Sequence, residues 1–212
     1  MGDNIMLHII GCGGHARSVA DVFLQADCDE KIVFYDNNAR AEEKILGFPV
    51  KLMPELDFFV GKKIHVAIGD NDKRRNMCNM FQNVSQVSFQ NIISRYAAVS
   101  SFAHLGKGIF VGDFCHVGPE AQIGDFSILN NSAVIEHEVM IGAYTHVAPR
   151  AVISGRSKIG DDVFLGVGSV VKDNINIEND IIVGAGGIVV KNLCKHGIYI
   201  GCPARIREIS NE

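Results

Sequence analysis

Every sixth residue from Val99 to Val189 is aliphatic, without a gap: Val99, Leu105, Val111, Val117, Ile123, Leu129, Ile135, Ile141, Val147, Ile153, Ile159, Leu165, Val171, Ile177, Val183 and Val189. Two residues before each stands a small or β-branched residue, from Ala97, Ala103 and Ile109 through Cys115, Ala121 and Ser127 to Ile181 and Gly187. Neither the 3.6-residue period of a helix nor the two-residue alternation of a strand produces this spacing. Period six predicts a hexapeptide-repeat parallel β-helix, in which each short strand and turn builds one wall of a three-sided prism. Aliphatic side chains fill such a prism, so its chemistry must sit on the outside. Three hexapeptides make one coil, so residues 18 apart stack, with adjacent strands about 4.8 Å apart.

The repeat takes up residues 96–192 of the 212, leaving 1–95 for a small domain of its own and 193–212 as a closing segment. A net charge of −4 and the absence of any basic run argue against nucleic-acid binding. No apolar stretch approaches the length of a membrane span. Met1 to Asn4 lead straight into a strand-like run, so no signal peptide is expected. The six cysteines (Cys12, Cys28, Cys78, Cys115, Cys194 and Cys202) are scattered, with no C-x-x-C pair. That usage fits a reduced, cytoplasmic protein better than a disulfide framework or a zinc knuckle. Cys115 falls at an inward position of the repeat and reads as core.

In the first domain, Ile5–Ile10, Lys31–Tyr35 and Lys63–Ile68 read as strands, and Ala16 to about Gln25 reads as a helix. Strands alternating with helices predict a parallel sheet with right-handed crossovers. Only one mononucleotide-binding half of the Rossmann type fits this length. Gly11-x-Gly13-x-x-Ala16 between strand and helix is a phosphate-loop pattern, with Gly13, Gly14 and the helix N-terminus open to a pyrophosphate. Tyr35 and Asp36 close the second strand, where an acid accepts hydrogen bonds from a ribose. Gly69 and Asp70 follow the third strand on the same sheet edge. A second nucleotide-binding half is missing, so a nucleotide attached to a sugar fits better than NAD. Arg74 reads either as a phosphate or ribose contact or as a solvated helix cation.

In the repeat, glycine follows the aliphatic residue at Gly106, Gly112, Gly118, Gly124 and again at Gly142, but Asn130 and Glu136 interrupt the series. A lapse in a regular code often marks a functional site. His137 lies in this lapse between two glutamates. Glu138 can orient its ring, and Gly155, 18 residues on, stacks over it. A histidine beside a glycine N–H is a plausible pairing of base and oxyanion donor. His146 is half a coil from His137, so only a neighbouring subunit could bring the two together. His104 and His116 read as solvated turn residues. A zinc ion shared between prisms by His104, His116, His137 and His146, as in the β-helical carbonic anhydrases, would leave the nucleotide-binding domain without a use.

Four motifs taken together, Gly11-Cys-Gly-Gly-His15, Ala67-Ile-Gly-Asp-Asn71 with Arg74, Ile135-Glu-His-Glu138 and Gly201-Cys-Pro-Ala204-Arg205, resemble the bacterial nucleotide-linked amino-sugar N-acetyltransferases and the related sialic acid O-acetyltransferases (PglD/NeuD-like). The resemblance covers almost the whole chain. It implies a left-handed β-helix, a homotrimer, and acetyl-CoA bound between adjacent helices, with no metal. It implies that His137 is the general base and that Glu138 raises its basicity. His15 and Asn130 would contact the sugar, while Asp36, Gly69 and Asp70 would hold the nucleotide. His146, Gly155, Val167 and Ala185 would line the coenzyme path.

The expected reaction is acetyl transfer from acetyl-CoA to the 4-amino group of a nucleotide-linked 4-amino-4,6-dideoxy sugar, direct and within a ternary complex. The alternatives are O-acetylation of a sialic-acid-type sugar and a non-catalytic nucleotide-binding trimeric scaffold.

Overall fold

A computed structural model describes residues 6–25 and 31–207; Met1–Ile5 and Cys28 lie outside the described residues. The N-terminal domain runs β1 (Met6–Ile10), α1 (Gly14–Leu24), β2 (Lys31–Asp36), β3 (Lys44–Ile45), β4 (Phe48–Leu52), β5 (Lys63–Val66), α2 (Asn71–Gln82) and β6 (Ser88–Phe89). Its sheet has the order β3-β4-β2-β1-β5-β6, parallel except for the β3–β4 hairpin. β1 and β2 are buried along nearly their whole length, as strands covered on both faces must be. α1 turns Ala16, Val19, Ala20 and Val22 into the core at helical spacing.

The three expected strands and the first helix are present. The hairpin, β6 and α2 add to them. Leu46 and Gly47 both take positive φ (51° and 85°) in the two-residue turn between β3 and β4. Such turns favour Asn-Gly or Asp-Gly; leucine in the first position hides the hairpin from a sequence reading.

The repeat is a three-sided parallel β-solenoid. Its first face stacks Ile92–Ile93, Phe110–Val111, Ile128–Leu129, His146–Val147, Phe164–Leu165 and Ile181–Val183. The second stacks Ala98–Val99, His116–Val117, Val134–Ile135, Val152–Ile153, Val170–Val171 and Ile188–Val189. The third stacks His104–Leu105, Gln122–Ile123, Met140–Ile141, Lys158–Ile159 and Asn176–Ile177. From Ile92 to Val189 the strands of successive coils pair in register with the residue 18 further on, as Phe110 with Ile128 and His116 with Val134. From Ile109 onward the aliphatic series and its apolar partners form one buried cluster, Cys115 included, with Val99 and Leu105 partly buried against it.

The solenoid starts at Ile92–Ile93, before residue 96, because Ile93 is already in phase with Val99. Gly197–Ile200, in the closing segment, extends the first face by pairing with Ile181–Val183.

A left-handed residue recurs every six positions at the corners, including Phe114, Glu120, Ser132, Glu138, Arg150 and Arg156. Left-handed backbone costs a side-chain-bearing residue about 1–2 kcal/mol, an amount that the hydrogen-bonded coils and packed interior offset.

The faces differ in what they carry. Ile92, Phe110 and Ile128 on the first face join the N-terminal domain's core, so that domain packs there. The second face presents Ala98, His116, Val134, Val152, Val170 and Ile188, and the third His104, Gln122, Met140, Lys158 and Asn176. His104 and His116 therefore sit on strands rather than in turns. His104 is solvated and His116 is half-buried on the apolar second face.

Candidate active site

The carboxyl ends of β1, β2 and β5 meet where the chain switches direction across the sheet, the usual ligand crevice of such folds. Gly11 has φ +107°, and a Cβ there would lie 3.1 Å from the Ala67 carbonyl oxygen. Only glycine lets the loop pass so close to β5. A Cβ at Gly13 or Gly14 would meet nothing within 4 Å, so the space above the loop is open.

Beside the loop lies a cavity of about 310 Å³ lined by Tyr35, Asp36, Asn37, Asn38, Lys73 and Met77, among others. One Asp36 carboxylate oxygen accepts the Asn38 N–H at 2.9 Å. The Tyr35 ring is buried, with its hydroxyl 3.2 Å from His8 Nδ1. Asp70 caps α2, accepting the Lys73 N–H at 2.9 Å. Cys12 also faces Asp36; burial first, then Asp36, pushes its thiol up to about 11, which keeps it from serving as a thiolate.

Arg74 is neither a ligand contact nor a solvated cation. It is 1% exposed, and among the described residues its guanidinium reaches four carbonyls and a side-chain amide. It donates to Phe126 O (2.9 Å), Ile68 O (2.9 Å), Gly69 O (3.2 Å), Tyr144 O (2.6 Å) and Asn71 Oδ1 (2.8 Å). Asn71 Nδ2 in turn donates to the Asp162 and Val163 carbonyls. This network fastens the sheet edge to the solenoid corner between the third and first faces. It also fixes Gly69, whose carbonyl oxygen lies 3.1 Å from His146 Nδ1. A carbonyl can only accept, so Nδ1 carries the hydrogen and Nε2 the lone pair. Asn130 Nδ2 lies 3.3 Å from that Nε2. The His15 ring is 6.4 Å from that of His146, and its Nε2 is buried without a partner among the described residues. His15, Gly69, Asn130 and His146 thus form one cluster where the domains meet.

His137 is elsewhere. It lies at the corner between the second and third faces, with Nδ1 2.9 Å from Glu138 Oε2. A Cβ on Gly155 would lie 2.6 Å from both His137 Cε1 and Nε2, so the ring rests directly on that glycine. Arg156 N–H donates to the His137 carbonyl, while the Gly155 N–H has no partner among the described residues. Val167 and Ala185 sit at the corner between the first and second faces, one and two coils beyond Pro149.

The first face and the second–third corner are opposite parts of a triangular prism. Within one chain the His137–Glu138–Gly155 group and the His15–Asn130–His146 cluster therefore point away from each other.

Residues 6–81 match the family model of the PglD N-terminal domain. Perosamine N-acetyltransferase of Caulobacter crescentus, solved as a histidine variant with CoA and GDP-perosamine, is 33% identical. It superposes with a TM-score of 0.88 over 96% of this chain and 97% of that one. The chain belongs to the hexapeptide-repeat sugar N-acetyltransferases.

The acetyltransferase domain of Neisseria gonorrhoeae PglB, in complex with acetyl coenzyme A, is 28% identical to this acetyltransferase, with a TM-score of 0.89 over 97% and 100% of the two chains. An uncharacterized protein of Acanthamoeba polyphaga mimivirus is 34% identical over 112 residues, 51% of this chain. That match spans 21% of the viral protein, about a fifth of its length. Among the described residues no helix is long and apolar enough to cross a membrane.

Two features of the fold around this acetyltransferase's candidate site escape the sequence. Arg74 carried the signal of an Arg close to a polar turn, but its inward direction depends on the docked domains. The apolar second face was legible in principle, since Val134, Val152, Val170 and Ile188 recur every 18 residues one position before the aliphatic series.

The buried histidines make a prediction. Burial holds His65 and His146 down at about 4, with the Arg74 charge adding to the shift, and holds His15 well below its usual value. Unfolded, each titrates near 6.5. As pH falls from about 6.5 to 4 the unfolded chain binds protons that the folded one refuses, so folding weakens over that window, by about 3 kcal/mol each for His65 and His146 at its lower end. Urea midpoints should fall steeply below pH 6.5, and His65→Gln should flatten the slope. An unchanged slope in that variant would mean that His65 is not buried in its neutral form.

Proposed function

We propose that the chain transfers the acetyl group of acetyl-CoA to the 4-amino group of a nucleotide-linked 4-amino-4,6-dideoxy sugar, as a homotrimer whose active sites lie between copies. The observation that carries this reading is the division of the candidate site between opposite parts of the prism. Packing through the apolar second face would set the second–third corner of one copy against the first–second corner of the next. His137, Glu138 and Gly155 would then face the neighbour's Asn130, His146 and His15. Gly13, Gly14, Tyr35, Asp36, Gly69 and Asp70 surround the nucleotide. Gly155 of one copy and His146, Val167 and Ala185 of the other border the acetyl-CoA groove. The Caulobacter and Neisseria relatives, seen with CoA and GDP-perosamine or with acetyl coenzyme A, support both ligands.

The chemistry follows from the His137 geometry. Its Nδ1–H donates to Glu138, so Nε2 carries a lone pair. The sugar amine forms a bond to the thioester carbonyl carbon as Nε2 takes its proton, and Glu138 stabilises the imidazolium. The oxyanion accepts from the unused Gly155 N–H. The intermediate collapses with cleavage of the C–S bond, and CoA leaves as the thiolate. No acyl-enzyme is required.

A thiol-release assay over UDP-, dTDP-, GDP- and CMP-linked sugars tests the assignment. Turnover is expected only with a nucleotide-linked 4-amino sugar. Release with sialic-acid hydroxyl acceptors, and none with amino sugars, would replace it with O-acetylation.

A further inference from the structure

Three large aromatic side chains near the start of the solenoid are exposed for no reason that the single chain supplies. Phe102 is 71% and Phe114 69% exposed, and Tyr96 is nearly half exposed. Tyr96 and Phe114 occupy the first–second corner in successive coils, their rings stacked at 5.9 Å and 24°. The pair is held from behind. The Arg95 guanidinium lies over the Tyr96 ring at 4.8 Å and donates to its hydroxyl, and Arg95 also donates to the Gln25 carbonyl at the end of α1. Phe102 stands alone on the second–third corner.

The repeat works here as a ruler. Phe102 is 36 residues before Glu138, and Tyr96 is 36 before Ser132. Both offsets are two full coils along the same corner, about 10 Å along the prism. Whatever packing sets Glu138 and His137 against the next copy's corner at Asn130 to Ser132 must also set Phe102 against that copy's Tyr96 and Phe114. Between the two corners runs the apolar second face. We infer that Phe102 of one copy inserts against the Tyr96–Phe114 pair of the next, forming an inter-subunit aromatic clamp below each active site that fixes the height at which His137 meets the neighbouring substrate cluster. This rests on the composite site proposed above. The partner is a second copy of this chain.

The test is a double-mutant cycle on the assembled protein, with Phe102→Ala, Phe114→Ala and the pair followed by analytical ultracentrifugation over a dilution series. Each single variant should dissociate at about tenfold or more higher concentration than the wild type. The double variant should dissociate little more than either single one, because both remove the same contact. A wild-type trimer whose variants dissociate no more readily, or whose effects simply multiply, overturns the clamp and leaves the proposed function standing. A wild type that is active yet monomeric overturns the composite site itself. Binding of the wild type to phosphatidylcholine–phosphatidylglycerol vesicles, lost in both variants without change in assembly, would assign these aromatics to a lipid surface instead.

Discussion

His137→Ala is expected to lower kcat by about 10²–10⁴-fold, the usual scale for a lost general base, with the proposed trimer assembling as in the wild type and KM for both substrates near normal. The imidazole touches Glu138 and rests on Gly155, and it is 42% exposed. Its removal therefore opens no core cavity and breaks no hydrogen bond on which the coils depend. The backbone bonds at this corner, Glu138 N–H to Pro119 O and Arg156 N–H to His137 O, do not involve the ring. Thiol release with saturating substrates gives kcat, and sedimentation gives the assembly state. Near-normal turnover from a normally assembled variant would remove His137 from the proposed mechanism. A companion experiment uses the division of the site. Mixed trimers of His137→Ala chains and His146→Ala chains should recover part of the activity that neither variant has alone, because some interfaces then pair an intact corner with an intact cluster. Failure of mixed trimers to recover activity would argue against a site shared between copies.

The period-six series legibly encoded the solenoid because inward aliphatic packing is a purely local demand, repeated at every coil. The same ruler correctly stacked Gly155 on His137, since coil-to-coil register is invariant. The glycine series also proved physical: a Cβ on Gly118 would lie 2.8 Å from the His137 backbone nitrogen, so these glycines leave room for the coil above. What the sequence did not disclose depends on contacts distant in the chain. Arg74 joins α2 to carbonyls at Phe126 and Tyr144, and His146 turns to Gly69, 77 residues away. The spacing of His146 from His137 places it half a coil off, and the coil register sets it beside Asn130, but only the docked domains place it beside His15. The corner residues were opaque for a different reason. Left-handed positions usually announce themselves as glycine or asparagine, whereas here glutamate, serine, arginine and phenylalanine fill them.

Gly155→Ala should cost about 100-fold in kcat, the scale of a misplaced catalytic group, while the protein remains as stable as the wild type. The new methyl would lie 2.6 Å from His137 Cε1 and Nε2, inside the distance that Cβ atoms keep from non-bonded heavy atoms. Two outcomes relieve the clash. Either the backbone of the coil moves, which the hydrogen bonds from Arg156 N–H to His137 O and Asn174 N–H to Gly155 O resist, or the half-exposed ring swings away. The ring gives way, and its 2.9 Å contact with Glu138 is lost. Alanine keeps the Gly155 N–H, so the proposed oxyanion donor survives and the loss reports on the proposed base alone. That makes the double variant decisive. In the His137→Ala background there is no ring to displace, so adding Gly155→Ala should change kcat less than about twofold, a strongly non-additive pair. If the alanine instead costs a further large factor without the histidine, the methyl is blocking the substrate groove or tilting the N–H. Gly155 would then matter for the thioester rather than for the position of the base.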